Sequence, residues 1–483
     1  MSALGHRAIV MGSGIAGLLA ARVLSPHFAE VVVFERDDEA ATPGPRGGVM
    51  QGRQLHTLLA SGLEVMERLM PGLERELLSR GAIRSPDVGL TARAFKFGSW
   101  TIAGAIDVAM ITMTRPLLES CVRERVSAIP NVVFRYGEAV EEVVYDRVEG
   151  RVTGVDSSPV GVAPGVEPLP AALVVDARGR GAPVAQMFKA WGAEPPDEET
   201  LGLNVGYSTV IVKKPAGFSA DWFSVLLAST PPDSPAGMMH PIEDDQWIMA
   251  FCGRGAAKPP AGWEPLLDYA GRLPQPTIRD CMRLSTPVGE LKVYNFLAAV
   301  RRRFDRARFH PNGLLVVGDA VCSFNPLYGQ GMSIAVLEAG ILEGLLAGAN
   351  EEASEWREAL WRGFYAQIAP ILDKAWGQSF ALDGLYPETK VRRGPGFALR
   401  KAAFLWAQKL SITEPVLRRR MMRTAQLLPE APIGLGDLAA SQWRLWRGRG
   451  SRVSPATFQA PGEALGGASS APGPARQEHA VGL

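Results

Sequence analysis

Cysteine and histidine are scarce in this sequence. Its 483 residues include four cysteines (Cys121, Cys252, Cys281 and Cys322) that stand singly without CxxC spacing, and six histidines that form no HExxH or similar cluster. Zinc sites and disulfide frameworks depend on such clusters. We therefore predict no bound metal and no redox disulfide, and we expect the four thiols to be buried in a protein of a reducing compartment.

An excess of charge of one sign is also missing. The chain has 51 basic and 50 acidic residues, and this net charge of +1 argues against a nucleic-acid-binding protein.

Glycines at 12, 14 and 17 interrupt the N-terminal apolar segment and no small-residue cleavage site follows, so we predict neither a signal peptide nor a membrane span there. The hydrophobic content of 47% is enough for a large core and two or three domains.

A glycine-rich turn follows the first apolar segment. Residues 8–11 predict a short strand, residues 12–17 read GSGIAG, and residues 18–24 have the pattern of a helix. In this dinucleotide-binding pattern the three glycines form a tight turn, let the backbone meet a pyrophosphate, and permit close helix–strand packing. The next predicted strand, at 31–34, ends in an acidic residue suited to a ribose hydroxyl. The candidate binding residues here are Gly12, Gly14, Ile15, Ala16, Gly17, Glu35 and Arg36.

Another glycine-rich turn lies between an apolar strand at 314–317 and a long apolar helix pattern that begins near Met332. Asp319, at the end of the strand, can accept hydrogen bonds from the hydroxyls of a sugar-like chain, and the glycines let the backbone approach a flat ligand. The helix N-terminus adds unpaired N–H groups and a positive dipole end. Taken alone, the stretch also fits an ordinary strand-to-helix loop. Its candidate binding residues are Asp319, Pro326, Gly329, Gly331 and Met332.

Together the two turns resemble those of the single-component FAD-dependent monooxygenases, the family of the aromatic hydroxylases and squalene epoxidase. The resemblance rests on GSGIAG with Glu35 and on GD-x6-P-x2-G-x-G-M at 318–332, and it spans about residues 5–350. Within the family, RGGVMQGRQLH at 46–56 resembles the flavin epoxidases of polyether antibiotic pathways. The resemblance implies an α/β fold with a Rossmann-like FAD-binding domain of the glutathione-reductase type, an antiparallel-sheet substrate domain and a helical C-terminal region.

The resemblance also implies roles for residues outside these two turns. Arginines of the 46–56 segment contact the FAD diphosphate or the flavin in the family, with solvated loop arginines as the alternative here. A helix arginine 14 residues before Gly137 matches an FAD-binding arginine, and an apolar strand at 173–176 leads into the family's middle glycine motif at the pyrophosphate. The residues so implied are Arg46, Arg53, Arg123, Ala139, Asp176 and Gly179. Leu327, Tyr328 and Gly329 match the positions that shape the flavin environment, and we assign no catalytic side chain.

Residues 200–300 differ from the rest, because short or alternating apolar segments are joined by Pro, Asp and Gly turns, which predicts an antiparallel sheet. Its aromatic residues can line an apolar pocket or simply fill a core. The predicted domains are an FAD-binding domain at 1–82, 101–195 and 285–350, a substrate domain at 83–100 and 196–284, helices at 351–450, and a disordered tail at 451–483 that is rich in Pro, Gly, Ala and Ser.

The segment 390–423 is strongly basic, with ten basic residues and one acid. One face of its predicted helix carries Leu399, Ala403, Trp406 and Leu410, and the opposite side carries Arg400, Lys401, Gln408 and Lys409. A basic amphipathic helix with tryptophan suits an anionic membrane surface. A helix packed on the FAD-binding domain with its charges in solvent is the alternative. We therefore expect a cytoplasmic protein, with peripheral membrane contact through 390–423 as an open question.

No second nucleotide-binding pattern follows another strand. NADPH or NADH must then visit transiently, or a separate flavin reductase must supply the electrons. The resemblance implies that reduced flavin and O2 form a C4a-hydroperoxide, and that the protein binds and orients the substrate and excludes water. We find no acid–base pair, which favours oxygen transfer to an alkene over phenol hydroxylation.

Our leading hypothesis is an FAD-dependent monooxygenase that epoxidises or hydroxylates a large, lipophilic natural-product intermediate, such as a polyene or a prenylated compound. An aromatic (phenol or quinoline) hydroxylase and a reductase of prenyl double bonds are flavin-based alternatives. A flavin halogenase is disfavoured because no Trp-x-Trp-x-Ile-Pro segment is present. A membrane-docked lipid carrier without chemistry is the alternative from another class.

Overall fold

The computed structural model describes residues 4–38, 54–162, 167–349, 355–391, 393–448 and 450–459. The strands in these ranges are β1 (Arg7–Met11), β2 (Glu30–Glu35), β3 (Ile83–Ser85), β4 (Ala92–Lys96), β5 (Ser99–Trp100), β6 (Met110–Thr112), β7 (Val132–Tyr136), β8 (Glu138–Asp146), β9 (Arg151–Pro159), β10 (Leu169–Pro170), β11 (Leu173–Asp176), β12 (Glu198–Lys213), β13 (Ser219–Ala220), β14 (Ser224–Ala228), β15 (Ala236–Ile242), β16 (Gln246–Arg254), β17 (Thr286–Arg302), β18 (Leu314–Val316), β19 (Cys322–Ser323) and β20 (Phe458–Gln459). The helices are α1 (Ile15–Leu24), α2 (Ala60–Leu69), α3 (Leu73–Ser79), α4 (Val88–Thr91), α5 (Arg115–Ser127), α6 (Val184–Ala190), α7 (Trp263–Ala270), α8 (Thr277–Leu284), α9 (Gln330–Ala347), α10 (Trp356–Asp383), α11 (Phe397–Leu410), α12 (Pro415–Ala425) and α13 (Leu435–Trp446).

A five-stranded parallel sheet has the order β18-β11-β1-β2-β7. The apolar residues that predict β1, β2 and β11 are buried in it, as expected for parallel strands covered on both faces. Met11 pairs with Asp176 on one side and with Phe34 on the other, and Asp176 pairs in turn with Val316. The strands therefore end at the same edge, and the loops that follow them meet there.

Helices α1, α2 and α10 pack against α9. Helix α9 is apolar on most sides because it is enclosed by these neighbours rather than exposed to water. Within the described ranges, α9 is the one helix long and apolar enough to cross a membrane, and half of it is buried in the protein core. The four cysteines are buried, as predicted, and their thiols are free.

An eight-stranded sheet has the order β19-β17-β12-β16-β15-β14-β4-β5, and all its pairings are antiparallel except that of β14 with β4. This confirms the antiparallel sheet predicted for residues 200–300. Strand β17, at 286–302, belongs to this sheet, although the sequence assigned it to the FAD-binding domain. Its first ten residues are mostly exposed on both faces, so they lack the alternation of apolar residues that marks a half-buried strand.

Two predictions for the C-terminal region need correction. Residues 451–459 are not a disordered tail, because Phe458 and Gln459 pair with β13 and the Ser454 N–H donates to the Thr101 carbonyl. In α11 only part of the predicted apolar face is buried, since Leu410 is 6% exposed but Leu399 is 73% exposed. Gln408, from the predicted polar side, is buried and accepts a hydrogen bond from Lys96. Residues 460–483 lie outside the described ranges.

Candidate functional site

The first and middle glycine turns contact each other at the edge of the parallel sheet. Gly12 has a φ of +97°, and a Cβ there would lie 2.9 Å from the Ala177 carbonyl oxygen. A Cβ on Gly17 would lie only 1.8 Å from the Gly12 carbonyl oxygen, so only glycine allows α1 to pack this closely. A Cβ on Gly14 would meet no atom within 4 Å, which leaves the outer side of the turn open to a ligand.

The last glycine turn completes the cluster. A Cβ on Gly318 would lie 3.0 Å from the Cβ of Ala16, and a Cβ on Gly179 would lie 4.0 Å from that of Asp319. A Cβ on Gly331 would approach the Asp319 carboxylate to 3.5 Å. Turns that are about 160 and 140 residues apart in the chain thus form one site, as the sequence predicts.

Two of these turns lead into helix N-termini that no side chain caps, those of α1 and α9. The first N–H groups of each helix are therefore free to bind an anion, and the helix dipoles add positive potential. Ile15 is buried in α1, whereas Met332, in the first turn of α9, is half-buried and packs against the main core.

Asp319 is half-buried at the centre of the cluster. Desolvation raises the pKa of its carboxyl, and the nearby Arg115 and Arg180 guanidinium groups oppose that shift. Arg115 is held by Glu119, at 2.8 Å, and by His56 Nε2, at 3.2 Å. Burial lowers the pKa of His56 to about 3, so at neutral pH its ring is uncharged and Nε2 can accept from Arg115. The sequence analysis assigned none of His56, Arg115 and Arg180 to the site.

Arg123 reaches the first glycine turn, and the contact with FAD expected for it stays a prediction. Its guanidinium donates to the Ser13 carbonyl oxygen at 2.8 Å and to Ser13 Oγ at 2.9 Å. Glu35 accepts from the N–H and hydroxyl of the same serine, at 3.0 and 2.6 Å. The Gly137 N–H donates to the Asp37 carbonyl, which brings the start of β8 to the end of β2. Arg123 and Glu35 therefore both contact Ser13 at the turn.

The remaining predicted residues differ in how they are placed. Asp176 is fully buried, and its carboxylate binds the backbone N–H and guanidinium of Arg178 at 2.8–3.1 Å, so it already has partners within the turn. Ala139 is half-buried on β8, and Arg36 is exposed just beyond β2. Arg46 and Arg53 lie outside the described residues, and their proposed contacts stay a prediction.

Glu338 supports the last turn from inside α9. It is 2% exposed, and its Oε2 accepts the Gly318 N–H at 2.6 Å. Burial raises the pKa of Glu338 to about 8, opposed by that hydrogen bond, and the nearby Asp319 raises it further. The Glu338 carboxyl is therefore largely protonated at neutral pH, and it holds the turn without adding a second negative charge beside Asp319.

A buried polar network lies beneath the turn at 326–329. Asn325 is fully buried, and its Oδ1 accepts from the Leu327 N–H at 3.2 Å and from the Tyr207 hydroxyl. Asn325 Nδ2 and the Tyr328 hydroxyl both donate to Asp383 Oδ1, at 2.9 and 2.8 Å. Gly329 then takes a φ of +63° and leads into α9. The turn is thus attached to the last residue of α10. We name this set of side chains, with Arg254, the Asp383 network.

Arg254 completes the Asp383 network. Its guanidinium forms an ion pair with Asp383, and both residues are less than 5% exposed. Desolvation raises the pKa of Asp383, while the Arg254 charge and the hydrogen bonds of the network oppose that shift. Removal of one partner would leave the other charge buried and unpaired, which is strongly destabilising. The sequence does not predict this pair, because residues 254 and 383 belong to no motif and lie 129 positions apart.

A cavity that is partly open to solvent lies between the antiparallel sheet and the 326–327 turn. Most of its described lining is apolar, and the described lining side chains include no acid, histidine or lysine. Its polar contact is the hydrogen bond from Thr209 to Gln54, at 2.5 Å. The lining residues are Gln54, Leu55, Tyr207, Thr209, Leu226, Ala236, Gly237, Met238, Ala250, Phe251, Cys252, Pro326 and Leu327.

Aromatic residues of the antiparallel sheet serve both the cavity and the core. Tyr207 and Phe251 line the cavity. Phe251 also belongs to the buried core that contains Trp222 and Trp247, and both tryptophans pack against Phe218. The apolar lining of the cavity fits a lipophilic ligand, and the uncharged polar side chains of Gln54 and Thr209 can orient it.

This fold and site define an FAD-binding protein of the aromatic hydroxylase type. Residues 6–358 match the family described as FAD binding domain, so the chain belongs to that family. The residues present fit FAD: two uncapped helix N-termini and open glycine backbone suit the diphosphate, and Asp319 suits the hydroxyls of the ribityl chain. The specific contact made by each side chain remains a prediction.

Known proteins similar to the chain include one curated sequence and several solved structures. Protein Rv3254 of Mycobacterium tuberculosis (strain ATCC 25618 / H37Rv) is 32% identical over 455 residues, which cover 91% of this chain and 94% of that protein. PqsL of Pseudomonas aeruginosa, described as a probable FAD-dependent monooxygenase, has a TM-score of 0.63 at 18% identity, covering 83% of this chain and 99% of PqsL. A 2-methyl-3-hydroxypyridine-5-carboxylic acid oxygenase has a TM-score of 0.59 at 19% identity, covering 86% and 98%. At these identities the two structures support the fold alone.

Proposed function

We propose that the protein is an FAD-dependent monooxygenase that oxygenates a lipophilic substrate held in the cavity beside the 326–329 turn. The observation that carries the proposal is that the short segment 326–331 both borders the cavity and reaches the cluster of glycine turns suited to FAD. Pro326 and Leu327 line the cavity, and Gly331 lies against Asp319. A substrate in the cavity would therefore lie next to the flavin end of the cofactor.

When bound and reduced, FAD supplies the activation of O2, from which one oxygen atom goes to the substrate and the other to water. NADPH or NADH, or a separate flavin reductase, would provide the two electrons. The contributions of the chain are binding, orientation and exclusion of water. The apolar cavity wall binds the substrate, the Gln54–Thr209 pair offers a polar contact, and the Asp383 network fixes the turn between substrate and cofactor.

The described lining favours an alkene substrate over a phenol. Phenol hydroxylation benefits from a base near the substrate hydroxyl, and the described lining offers none. Burial raises the pKa of Tyr207 well above its usual range, so its hydroxyl remains a neutral donor to Asn325. We therefore propose epoxidation or hydroxylation of a polyene or prenylated compound, in line with the resemblance to squalene epoxidase and to the polyether-pathway enzymes. Hydroxylation of a phenol or quinoline is the second candidate, considered because a protein of similar fold is a 2-methyl-3-hydroxypyridine-5-carboxylic acid oxygenase.

The test uses the purified full-length protein. A flavin absorbance spectrum comes first, then NADH and NADPH oxidation and O2 uptake, with and without a flavin reductase, in the presence of polyenes, prenylated arenes, phenols and quinolines. With 18O2, we expect one labelled oxygen atom in an alkene-derived product. If only phenols or quinolines gave labelled products, the protein would be an aromatic hydroxylase and not an enzyme that oxygenates alkenes. Turnover of prenyl double bonds without O2 would show a reductase, and release of only hydrogen peroxide across the whole panel would overturn the proposal.

A further inference from the structure

Two C-terminal helices expose large apolar side chains to solvent. On α11, Leu399 is 73% and Trp406 is 36% exposed, and on α13, Leu435 is 67%, Trp443 is 47% and Trp446 is 79% exposed. Single exposed apolar residues are ordinary on protein surfaces, but a contiguous group that includes three tryptophans is not. We name these five residues the tryptophan face.

The five residues share one surface. Helices α11 and α13 pack against each other, and the Trp406 indole N–H donates to the Gln442 side chain at 3.4 Å. Leu435, Gln442 and Trp446 are spaced i, i+7 and i+11, so they form a single stripe along α13, with Trp443 beside it. The stripe of α13 thus continues onto α11 at Trp406.

Exposure of this face does not result from poor packing of the helices. The buried sides of α11, α12 and α13 form their own apolar cluster, which includes Leu410, Leu417 and Leu438. Glu414 accepts from two N–H groups at the start of α12 and pairs with Arg444 of α13. The helices are therefore fixed to one another by their other sides, and the tryptophan face is left without a partner in the described chain.

The segment that carries the tryptophan face is positively charged. Residues 393–448 contain ten basic and three acidic residues, and all three acids are already ion-paired, Glu414 with Arg444, Glu430 with Arg423 and Asp437 with Arg420. Four other cations have no ion pair within the described residues. They are Arg400, Lys401 and Lys409, on the other side of α11 from Leu399 and Trp406, and Arg447 after α13. Arg447 lies 4.3 Å from the centre of the Trp443 ring, directly at the face.

We propose that the tryptophan face and its cations form a docking surface for an anionic lipid bilayer. Tryptophan combines a large apolar ring with a polar N–H and is favoured in the headgroup region, while arginine and lysine bind lipid phosphates. A second copy of this chain fits less well, because a symmetric contact would bring the same positive charges together. This inference does not depend on the proposed oxygenase activity.

The test is co-sedimentation of the full-length protein with vesicles of phosphatidylcholine alone or mixed with phosphatidylglycerol. We expect binding to the mixed vesicles, weaker binding at high salt, and little binding to phosphatidylcholine alone. The Trp443→Ala/Trp446→Ala variant should lose roughly tenfold or more in affinity. Val148→Ala is the matched control, because Val148 is 96% exposed in the β8–β9 turn, far along the chain from this face, and it should bind like the wild type. Circular dichroism checks that each variant is folded.

Three outcomes would overturn the proposal: no binding to the mixed vesicles, equal binding by the double tryptophan variant, or equal binding to neutral and anionic vesicles. Light scattering after gel filtration provides a further arm. Dimers that form with rising protein concentration and disappear in the tryptophan variant would assign the face to a second copy of the chain and so exclude the bilayer.

Discussion

The glycine-turn cluster and the Asp383 network lie on either side of the same turn, and they are stabilised in different ways. The cluster depends on backbone atoms that approach each other where no Cβ is present, as at Gly12 and Gly17. The Asp383 network depends on polar side chains from β12, β16, the 325–328 turn and α10. Adding one methyl group to the glycine-turn cluster should therefore destabilise the fold. In the Asp383 network, removing one side-chain partner should do the same.

We expect the largest effect from Gly17→Ala. The new Cβ would lie 1.8 Å from the Gly12 carbonyl oxygen, so α1 would have to move away from the sheet. The expected loss in the free energy of unfolding is about 5 kcal/mol or more, a size reserved for severe disruption. Denaturant unfolding of the apoprotein measures it.

Gly14→Ala is the matched control for that variant, because its Cβ meets no protein atom within 4 Å. Its apoprotein should be as stable as the wild type within about 1 kcal/mol. Its affinity for FAD should fall if the cofactor contacts the protein backbone at residue 14. Equal damage to the apoprotein by both substitutions would contradict the role given to close packing at Gly17.

Asp383→Ala should come next. It leaves the Arg254 guanidinium buried without its carboxylate, at an expected cost of about 3–5 kcal/mol. Arg254→Met combined with Asp383→Leu removes both charges and should recover much of that loss, which a double-mutant cycle of thermal unfolding would reveal.

The control is Glu358→Gln, which breaks the exposed ion pair with Arg362 and should lower the free energy of unfolding by about 1 kcal/mol or less. No recovery in the double variant would show that the ion pair is not the source of the cost.

The pH dependence of stability should show the effect of Glu338. Its folded pKa of about 8 lies above the usual value of 4.5, so between these values the folded protein binds a proton that the unfolded chain does not. Its contribution to stability is therefore present at low pH and decreases as the pH rises from about 5 to 8, by at most about 1.4 kcal/mol per pH unit. Glu338→Gln keeps an oxygen that accepts from the Gly318 N–H but removes the ionisable group. The free energy of unfolding of this variant should therefore change less with pH in this range. A slope unchanged by the substitution would refute the assignment.

The smallest effect is expected from Tyr328→Phe. The change removes one of several hydrogen bonds to Asp383 and leaves the Arg254 ion pair intact, so stability should fall by about 1 kcal/mol. Thermal unfolding measures this difference. A loss as large as that of Asp383→Ala would mean that the Tyr328 hydroxyl, and not Arg254, is the critical partner of the carboxylate.

The sequence predicts the glycine-turn cluster well because each turn is encoded locally, by a strand, its glycines and a helix within about 20 residues. It also predicts the antiparallel sheet, from alternation and turn residues. It does not predict β17, since the first ten residues of the strand have too little burial to impose a pattern. Nor does it predict the Arg254–Asp383 pair, because no local pattern links residues 129 positions apart.

The Asp383 network sets a limit on how the chain can be divided. The family match ends at residue 358, within α10, but Arg254 and the 325–328 turn need the carboxylate at the far end of that helix. A recombinant fragment trimmed to the match would keep the cation and lose its counter-ion. The smallest piece that expresses as a stable flavoprotein should therefore extend beyond the C-terminus of α10.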